Sequence, residues 1–169
     1  MTPGEIETEL EAHHRAGFAW SLACCGRDRE EAEDVLQTSY LKILDGRAEF
    51  AGRSSFKTFL FGVIRKTASE SRRRRRSAEL FLGRPERIAP PPPEPVPEER
   101  LALLRALARL PRRQREVLDL VFYVGMTVEE AGRVLGVSAG SARAHYDRGK
   151  RRMARILAVR TAGVEESHG

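Results

Sequence analysis

Apolar residues recur at helical spacing in both halves of the chain. Leu101, Leu104 and Leu107 lie three residues apart, and they predict a helix that Pro111 then ends. No segment alternates β-branched and polar residues in the manner of a half-buried strand. In residues 30–46, EEAEDVLQTSYLKILDG, the inward-facing stripe is predicted to consist of Leu36, Tyr40, Ile43 and Leu44. The pattern therefore predicts an all-α protein.

A proline-rich stretch divides this helical pattern into two parts. Residues 88–99 read IAPPPPEPVPEE. Because proline lacks an amide donor and fixes φ, this stretch is predicted to be an extended, semi-rigid spacer. We therefore predict a small helical domain over residues 1–78, a linker over 79–97, a second small helical domain over 98–160, and a tail over 161–169.

The second domain contains the pattern of two short helices joined by a tight turn. Thr127 and Glu130 have the spacing of a capping box, which begins the first of these helices. Gly136 suits the left-handed position after that helix, and Ser138 is predicted to cap the next one. Helices joined by so short a turn cross steeply, as in a helix-turn-helix.

The second of these helices is predicted to present a basic face. Ala142 and Tyr146 should face the core. The outward-facing residues are Ser141, Arg143, Ala144, Asp147 and Arg148. Such a helix fits the DNA major groove, where arginine pairs with guanine. The residues that suit phosphates are Lys150, Arg151, Arg152 and Arg155. An ordinary helical hairpin with a solvated basic face is the alternative.

A second stripe on the helix predicted for residues 30–46 is polar, apart from one leucine. Its members are Asp34, Gln37, Thr38 and Leu41. This stripe is either plain surface or a face that docks on another protein, and helical spacing does not distinguish the two.

The following segment combines aromatic residues with dense positive charge. Ser55 is predicted to cap a helix that ends in the arginines at 72–76. Its apolar residues are Phe56, Phe59, Leu60, Phe61 and Ile64. Aromatic rings followed by positive charge suit single-stranded nucleic acid. Two alternatives stay open: Phe59 or Phe61 belongs to the core, and the arginine run is a flexible tail that contacts any polyanion.

Composition narrows the class of partner. The formal net charge of +6 favours a polyanion. The two cysteines, Cys24 and Cys25, are adjacent, so the sequence predicts no disulfide framework and a reducing compartment. The longest apolar runs are far too short to span a membrane, and the acidic N-terminus is unlike a signal peptide. We therefore expect a soluble, cytoplasmic protein without membrane insertion.

The order of these segments resembles a known family. Residues 30–44, EEAEDVLQTSYLKIL, followed by FAGRSSFKTFLF at 50–61 and the basic run, are similar to domain 2 of the extracytoplasmic-function (group 4) sigma factors of bacterial RNA polymerase, within the sigma-70 family. Residues 106–153, from ALARLPRRQREVL to DRGKRRM, are similar to their domain 4. The resemblance covers roughly residues 5–76 and 98–157. It implies a promoter-recognition subunit that is not itself an enzyme.

The resemblance also implies roles for individual residues. The face that docks on core polymerase would comprise Asp34, Gln37, Thr38 and Leu41. Recognition and melting of the −10 element would use Phe56, Lys57, Phe59, Arg65, Lys66, Arg72 and Arg73. Recognition of the −35 element would use Ser141, Arg143, Ala144, Arg148, Lys150, Arg151 and Arg152. The implied partners are core polymerase, promoter DNA and an anti-sigma factor, without a cofactor or a metal.

This chain departs from the family pattern at several positions. Phe59 stands where family members commonly have Trp, and Lys66 where they often have Asn near the flipped −10 base. In the helix-turn-helix, the family prefers Ile-Ala and Val where this chain has Ala131, Gly132 and Ala142. The smaller residues predict a C-terminal domain that buries less apolar surface and is only loosely stable alone.

Two other functional classes are less well supported. GVSAGSARAHY, at residues 136–146, also resembles the helix-turn-helix of LuxR-type activators, but the N-terminal half lacks the strand–helix alternation of a receiver domain. A metal-dependent sensor would use His13, His14, Cys24 and Cys25. Adjacent cysteines do not match the usual ligand spacing, and no P-loop, nucleophile elbow or HExxH motif occurs.

Overall fold

The computed structural model describes residues 1–82 and 97–165, and within these ranges the protein is helical and contains no β-strand. The helices of the N-terminal module are α1 Pro3–Ala12, α2 His14–Cys24, α3 Arg29–Leu44 and α4 Phe56–Leu82. Those of the C-terminal module are α5 Glu98–Ala108, α6 Arg112–Leu118, α7 Val128–Leu135 and α8 Ala139–Glu165, with a π-helical segment, Asp119–Tyr123, after α6. The predicted all-α fold is confirmed. The predicted extended spacer, residues 88–99, lies outside the described residues apart from its last three. The prediction is wrong for Glu98 and Glu99, because these two residues begin α5.

Local capping chemistry sets the helix ends where the sequence predicted them. The Ser55 hydroxyl accepts from the Thr58 amide at 3.2 Å and caps α4. Thr127 and Glu130 form the predicted capping box at the start of α7. Gly136 follows α7 in the left-handed region, with φ of 65°. These interactions involve residues within a few positions of each other, which is why the sequence alone reveals them.

Two helices continue beyond the predicted domain ends. Helix α4 reaches Leu82, past the predicted start of the linker at 79, and α8 reaches Glu165, past the predicted start of the tail at 161. Arginine is a good helix former, so the run at 72–76 does not interrupt α4. An ion pair between Arg75 and Glu31 also holds this part of α4 against α3. The arginine run is therefore helical.

The N-terminal module packs around Trp20. Its indole Nε1 donates to the carbonyl oxygen of Phe61 at 3.1 Å, which satisfies a polar atom in an otherwise apolar core. Phe61 is fully buried. It is therefore a core residue, which was one of the two alternatives left open for the aromatic segment. The prediction that Leu44 faces inward is wrong, since this side chain is 47% exposed. Leu44 is the last residue of α3.

In the C-terminal module, glycines allow α8 to lie close against two helices. A Cβ atom on Gly132 of α7 would stand 3.1 Å from the Cβ of Ala142 on α8. A Cβ on Gly149 would stand 3.2 Å from Cδ1 of Leu118 on α6. The small residues at 132 and 142 therefore do more than reduce buried apolar surface, because they bring the two helices of the helix-turn-helix together.

The two modules pack against each other. Helix α7 contacts α4, and the π-helical segment contacts α2. Buried residues of both modules form one continuous apolar cluster, which includes Leu60 and Ile64 of α4 and Leu120 and Val134 of the C-terminal module. Helix α7 also contacts α8, so it lies between the N-terminal module and the predicted reading helix.

Candidate nucleic-acid and polymerase interface

Helix α8 presents the outward face that the sequence predicted for the −35 element. The Ser138 hydroxyl accepts from the Ser141 amide at 3.1 Å, which caps the helix and fixes its start. Ala142 is fully buried and sets which side of the helix faces inward. The exposed candidates are Ser141, Arg143, Arg148, Lys150, Arg151 and Arg152, whereas Ala144 is half-buried. Nearly all of the predicted face is therefore accessible.

The cations of this face are held loosely. The Arg143 guanidinium lies 3.6 Å from Glu129 at the start of α7, and both side chains are more than half exposed. An exposed ion pair of this kind contributes about 0–1 kcal/mol, so Arg143 can exchange Glu129 for a base edge. The Lys150 ammonium lies 5.1 Å from the centre of the Tyr146 ring, a cation–π contact that leaves it on the surface.

The aromatic residues at the start of α4 form a packed group. The ring centroids of Phe50, Phe56 and Phe59 lie 5.3–5.8 Å apart. Phe56 is only 6% exposed, so it belongs to the core and does not face DNA in this conformation. Phe59 is half-buried and remains partly accessible. Phe50 was not among the predicted residues. The signal that could have identified it is its place as the first aromatic residue of the FAGRSSFKTFLF run.

A basic cavity of about 520 Å³ adjoins this aromatic group. It is formed by the loop before α4 and one side of α4, and Phe50 and Phe59 line it. The cations around it are Arg47, Arg53, Lys66 and Arg133. Lys66 is exposed, and Arg133 comes from α7 of the other module. Aromatic rings beside several cations give a site in which a base can stack while its phosphates are neutralised.

Two further residues of the predicted −10 set, Lys57 and Arg65, contact the C-terminal module. The Lys57 ammonium donates to the carbonyl oxygen of Val124 at 2.9 Å. The Arg65 guanidinium lies 3.8 Å from the Glu116 carboxylate, and Arg112 and Arg113 bind the same carboxylate at 3.0 Å. Burial lowers the pKa of Arg65. Neither Lys57 nor Arg65 is therefore free for DNA in this arrangement.

The arginine run offers fewer free cations than the sequence suggested. Arg73 is exposed and Arg72 is half-buried. Arg75 pairs with Glu31, an interaction that raises the pKa of its guanidinium.

The predicted polymerase-docking stripe lies on the outer face of α3. Asp34, Gln37 and Leu41 are exposed, and Thr38 is half-buried. Leu41 leaves 53% of its surface exposed on the side of α3 that faces away from the core. The stripe is therefore accessible to a partner, although a single exposed leucine does not by itself mark an interface.

The adjacent cysteines are poor candidates for chemistry. Burial raises the pKa of the Cys24 thiol far above its ordinary value and that of Cys25 to about 12. A raised pKa lowers the fraction of thiolate, which is the reactive form, and so lowers the reactivity of both thiols. Within residues 1–82 and 97–165, no three His, Cys, Asp or Glu side chains are grouped so as to hold a metal ion. In the same ranges, no helix is long and apolar enough to cross a membrane.

Comparison with known families identifies the family to which this chain belongs. Residues 10–78 match the model of sigma-70 region 2, and residues 100–153 match that of sigma-70 region 4. The chain belongs to the extracytoplasmic-function sigma factors of bacterial RNA polymerase. It therefore acts in transcription initiation by directing core polymerase to promoters and aiding DNA opening.

Relatives of this sigma factor are similar over most of their length. The ECF sigma factor ShbA of Streptomyces griseus is 31% identical over 139 residues, which cover 76% of this chain and 72% of ShbA. The sigma factor CarQ of Myxococcus xanthus is 28% identical over 152 residues, covering 88% of this chain and 87% of CarQ.

A solved structure is similar to this chain across both modules. The sigma factor RpoE of Bartonella quintana, crystallised with the anti-sigma factor NepR, is 25% identical, with a TM-score of 0.73. The overlay covers 92% of this chain and 98% of that one, so it includes both modules.

Proposed function

We propose that this sigma factor divides promoter recognition between its modules. Helix α8 reads the −35 element through Ser141, Arg143 and Arg148, while Lys150, Arg151 and Arg152 contact phosphates. Residues of α4 and the loop before it contact the −10 element and help to melt it. The observation that best supports this division is the exposed, capped α8, whose arginines make only weak ion pairs with the protein.

The α3 stripe of Asp34, Gln37, Thr38 and Leu41 is the proposed docking face for core polymerase. Its exposed leucine supports this role. Catalysis of RNA synthesis belongs to the polymerase, so the sigma factor needs no catalytic residue and no cofactor of its own. We place it in the cytoplasm, where bacterial polymerase works.

An anti-sigma factor is the proposed regulator of this protein. The RpoE structure described above was solved with such a partner. We expect the partner to compete with core polymerase for the N-terminal module, so that adding polymerase releases it.

Run-off transcription with purified core polymerase tests the proposal directly. A library of genomic promoter fragments should yield defined start sites only when this chain is present. The Leu41→Arg variant should lose most of this activity, because a charge replaces the apolar contact, whereas Lys150→Ala should retain much of it. A chain that neither binds core polymerase nor selects start sites would disprove the proposed function.

A further inference from the structure

An apolar cavity of about 650 Å³ lies within the C-terminal module, between α5, the end of α6, the π-helical segment and α8. Its apolar lining comprises Leu103, Leu107, Leu118, Phe122, Met153, Ala154 and Leu157. Cavities of about 300–1,000 Å³ with mostly apolar walls and a few polar groups are typical of small-molecule sites. We propose that this cavity binds a free amphipathic carboxylate, such as a medium-chain fatty acid, with the alkyl chain inside and the carboxylate at the rim.

The floor of the cavity is a small apolar cluster that belongs to the C-terminal module alone. Leu107 and Leu118 are buried in this cluster, and Met153 packs against them. Gly149 allows α8 to approach α6 at this point, as described above. Leu103 and Leu157 are only half-buried, so the walls retain apolar surface that an alkyl chain would remove from water.

The π-helical segment gives the cavity an aromatic edge. Phe122 is 61% exposed, and its ring stacks on that of Tyr146 with the centroids 6.1 Å apart. The neighbouring Tyr123 also lines the cavity, and its hydroxyl oxygen is buried without a hydrogen-bond partner in the described part of the chain. Buried hydroxyl groups are nearly always paired in folded proteins, so this one indicates where a polar atom of a ligand would fit.

The charges at the rim select the head group of the ligand. Arg100 of α5 and Lys150 of α8 are exposed and line the cavity, together with one acidic residue, Glu99. The Lys150 ammonium lies 5.1 Å from the centre of the Tyr146 ring, so it stands beside the aromatic edge. Two cations against one carboxylate attract an anionic head group and disfavour a cationic one.

Occupation of the cavity would affect DNA binding through Lys150. This side chain is one of the proposed phosphate contacts, so the coupling rests on the function proposed above. A carboxylate beside the ammonium neutralises a charge that would otherwise contact a phosphate. Because a phosphate contact contributes to affinity for any sequence, the bound ligand should weaken duplex binding without changing sequence preference.

Methyl NMR of the full-length protein locates the ligand. The chain has three methionines, of which Met153 lines the cavity and Met126 is buried in the other apolar cluster. Octanoate, added below the concentration at which it forms micelles, should shift the Met153 methyl signal saturably and leave that of Met126 in place. The absence of a saturable Met153 shift overturns the site. If core polymerase perturbs this signal and octanoate does not, the cavity docks a protein and the proposed ligand class is wrong.

Three probes test the head group and the chain separately. Octanol, which has no charge, should bind several-fold more weakly than octanoate. Octyltrimethylammonium, which has the opposite charge, and acetate, which lacks the chain, should produce no saturable shift of Met153. Equal affinity for octanoate and the ammonium probe overturns the proposed selection for a carboxylate.

A cavity-filling substitution tests whether the alkyl chain enters the cavity. Ala154→Trp places a large ring in the lining from an exposed position on α8, and it should lower octanoate affinity by about tenfold or more. Ala158→Trp is the matched control, because Ala158 is exposed one turn further along the same helix and lies outside the lining. Circular dichroism would establish that both variants are folded. Wild-type affinity in Ala154→Trp would mean that octanoate binds elsewhere.

A charge substitution on α5 tests the rim. Arg100→Ala should weaken octanoate binding several-fold and leave octanol binding unchanged. Arg105→Ala is its control, since Arg105 is an exposed cation of the same helix that pairs with Glu98 and lies outside the lining. Equal octanoate affinities in these two variants would remove Arg100 from the site.

Binding of a short random-sequence duplex tests the coupling. Saturating octanoate should lower the affinity of the wild type about two- to threefold relative to the same concentration of acetate, which keeps the ionic strength equal. The Ala154→Trp variant should show no such loss. An unchanged duplex affinity in the wild type overturns the coupling to DNA. None of these readouts depends on transcription, so their failure would leave the run-off result intact.

Discussion

The two proposed DNA-binding helices of this sigma factor differ in how their cations are held. On α8, Arg143 makes only an exposed ion pair with Glu129, and Arg148 is open to solvent. On α4, Lys57 binds a backbone carbonyl and Arg65 is partly desolvated beside Glu116. A basic residue in the sequence is therefore not equivalent to a free cation on the surface. Of the two proposed DNA-binding helices, α8 therefore has the more accessible cations.

The largest expected effect is the destabilisation of the N-terminal module. Trp20→Ala removes a fully buried ring and its hydrogen bond to Phe61, and such truncations cost about 3–5 kcal/mol. We expect the variant to lose promoter melting and, because the same apolar cluster continues into the C-terminal module, to lose a smaller part of its affinity for −35 duplex DNA. Thermal denaturation, electrophoretic mobility shift and permanganate footprinting measure these properties. Equal loss of both activities would mean that the two faces do not function independently.

Removal of a proposed base-reading side chain of α8 should have the next largest effect. Arg143→Ala should lower discrimination between the correct and a mutated −35 element by about 1–3 kcal/mol, because a bidentate contact to guanine is lost. The folding stability should change little, since the Glu129 pair is exposed. Competition binding with the two duplexes gives the ratio of affinities. An unchanged ratio would remove Arg143 from the −35 reading face.

A phosphate-contacting residue on the same face should have a smaller and sequence-independent effect. Arg151→Ala should weaken binding to all duplexes by a similar factor and reduce the slope of affinity against salt by about one. Binding isotherms at several salt concentrations measure this slope. If Arg151→Ala and Arg143→Ala impair sequence preference equally, the proposed division between base and phosphate contacts is wrong.

The smallest effect is expected from the cysteines. Cys25→Ala should change neither DNA-binding face, and the thiols of the folded wild type should react slowly with iodoacetamide. Burial keeps them protonated, because it raises the pKa of Cys25 to about 12 and that of Cys24 further. Alkylation rates before and after denaturation check this expectation. Rapid alkylation of the native protein at neutral pH would reopen a redox role.

Sequence patterns predicted the features of this molecule that depend on short-range interactions. The Thr127 capping box, the left-handed Gly136 and the buried Ala142 follow from residues within one or two helical turns. The exposed stripe of α3 also followed from helical spacing. Such predictions succeed because the deciding contacts are encoded in consecutive positions.

The state of the α4 surface was not predictable in the same way. Lys57 binds the carbonyl oxygen of a residue 67 positions away, and Arg65 pairs with a residue of the other module. Phe56 has the same aromatic character as Phe59, but only packing distinguishes the core residue from the accessible one. The accessibility of these side chains depends on how the two modules pack together. The spacing of residues along one helix gives no information about that packing.

The crossing of α7 and α8 restricts how this protein can change over generations. With 3.1 Å between a Cβ at 132 and the Cβ of Ala142, a larger side chain at either position pushes the helices apart. Larger residues at these two positions, such as the Ala and Val that the family prefers, therefore require α8 to lie farther from α7 than it does in this chain.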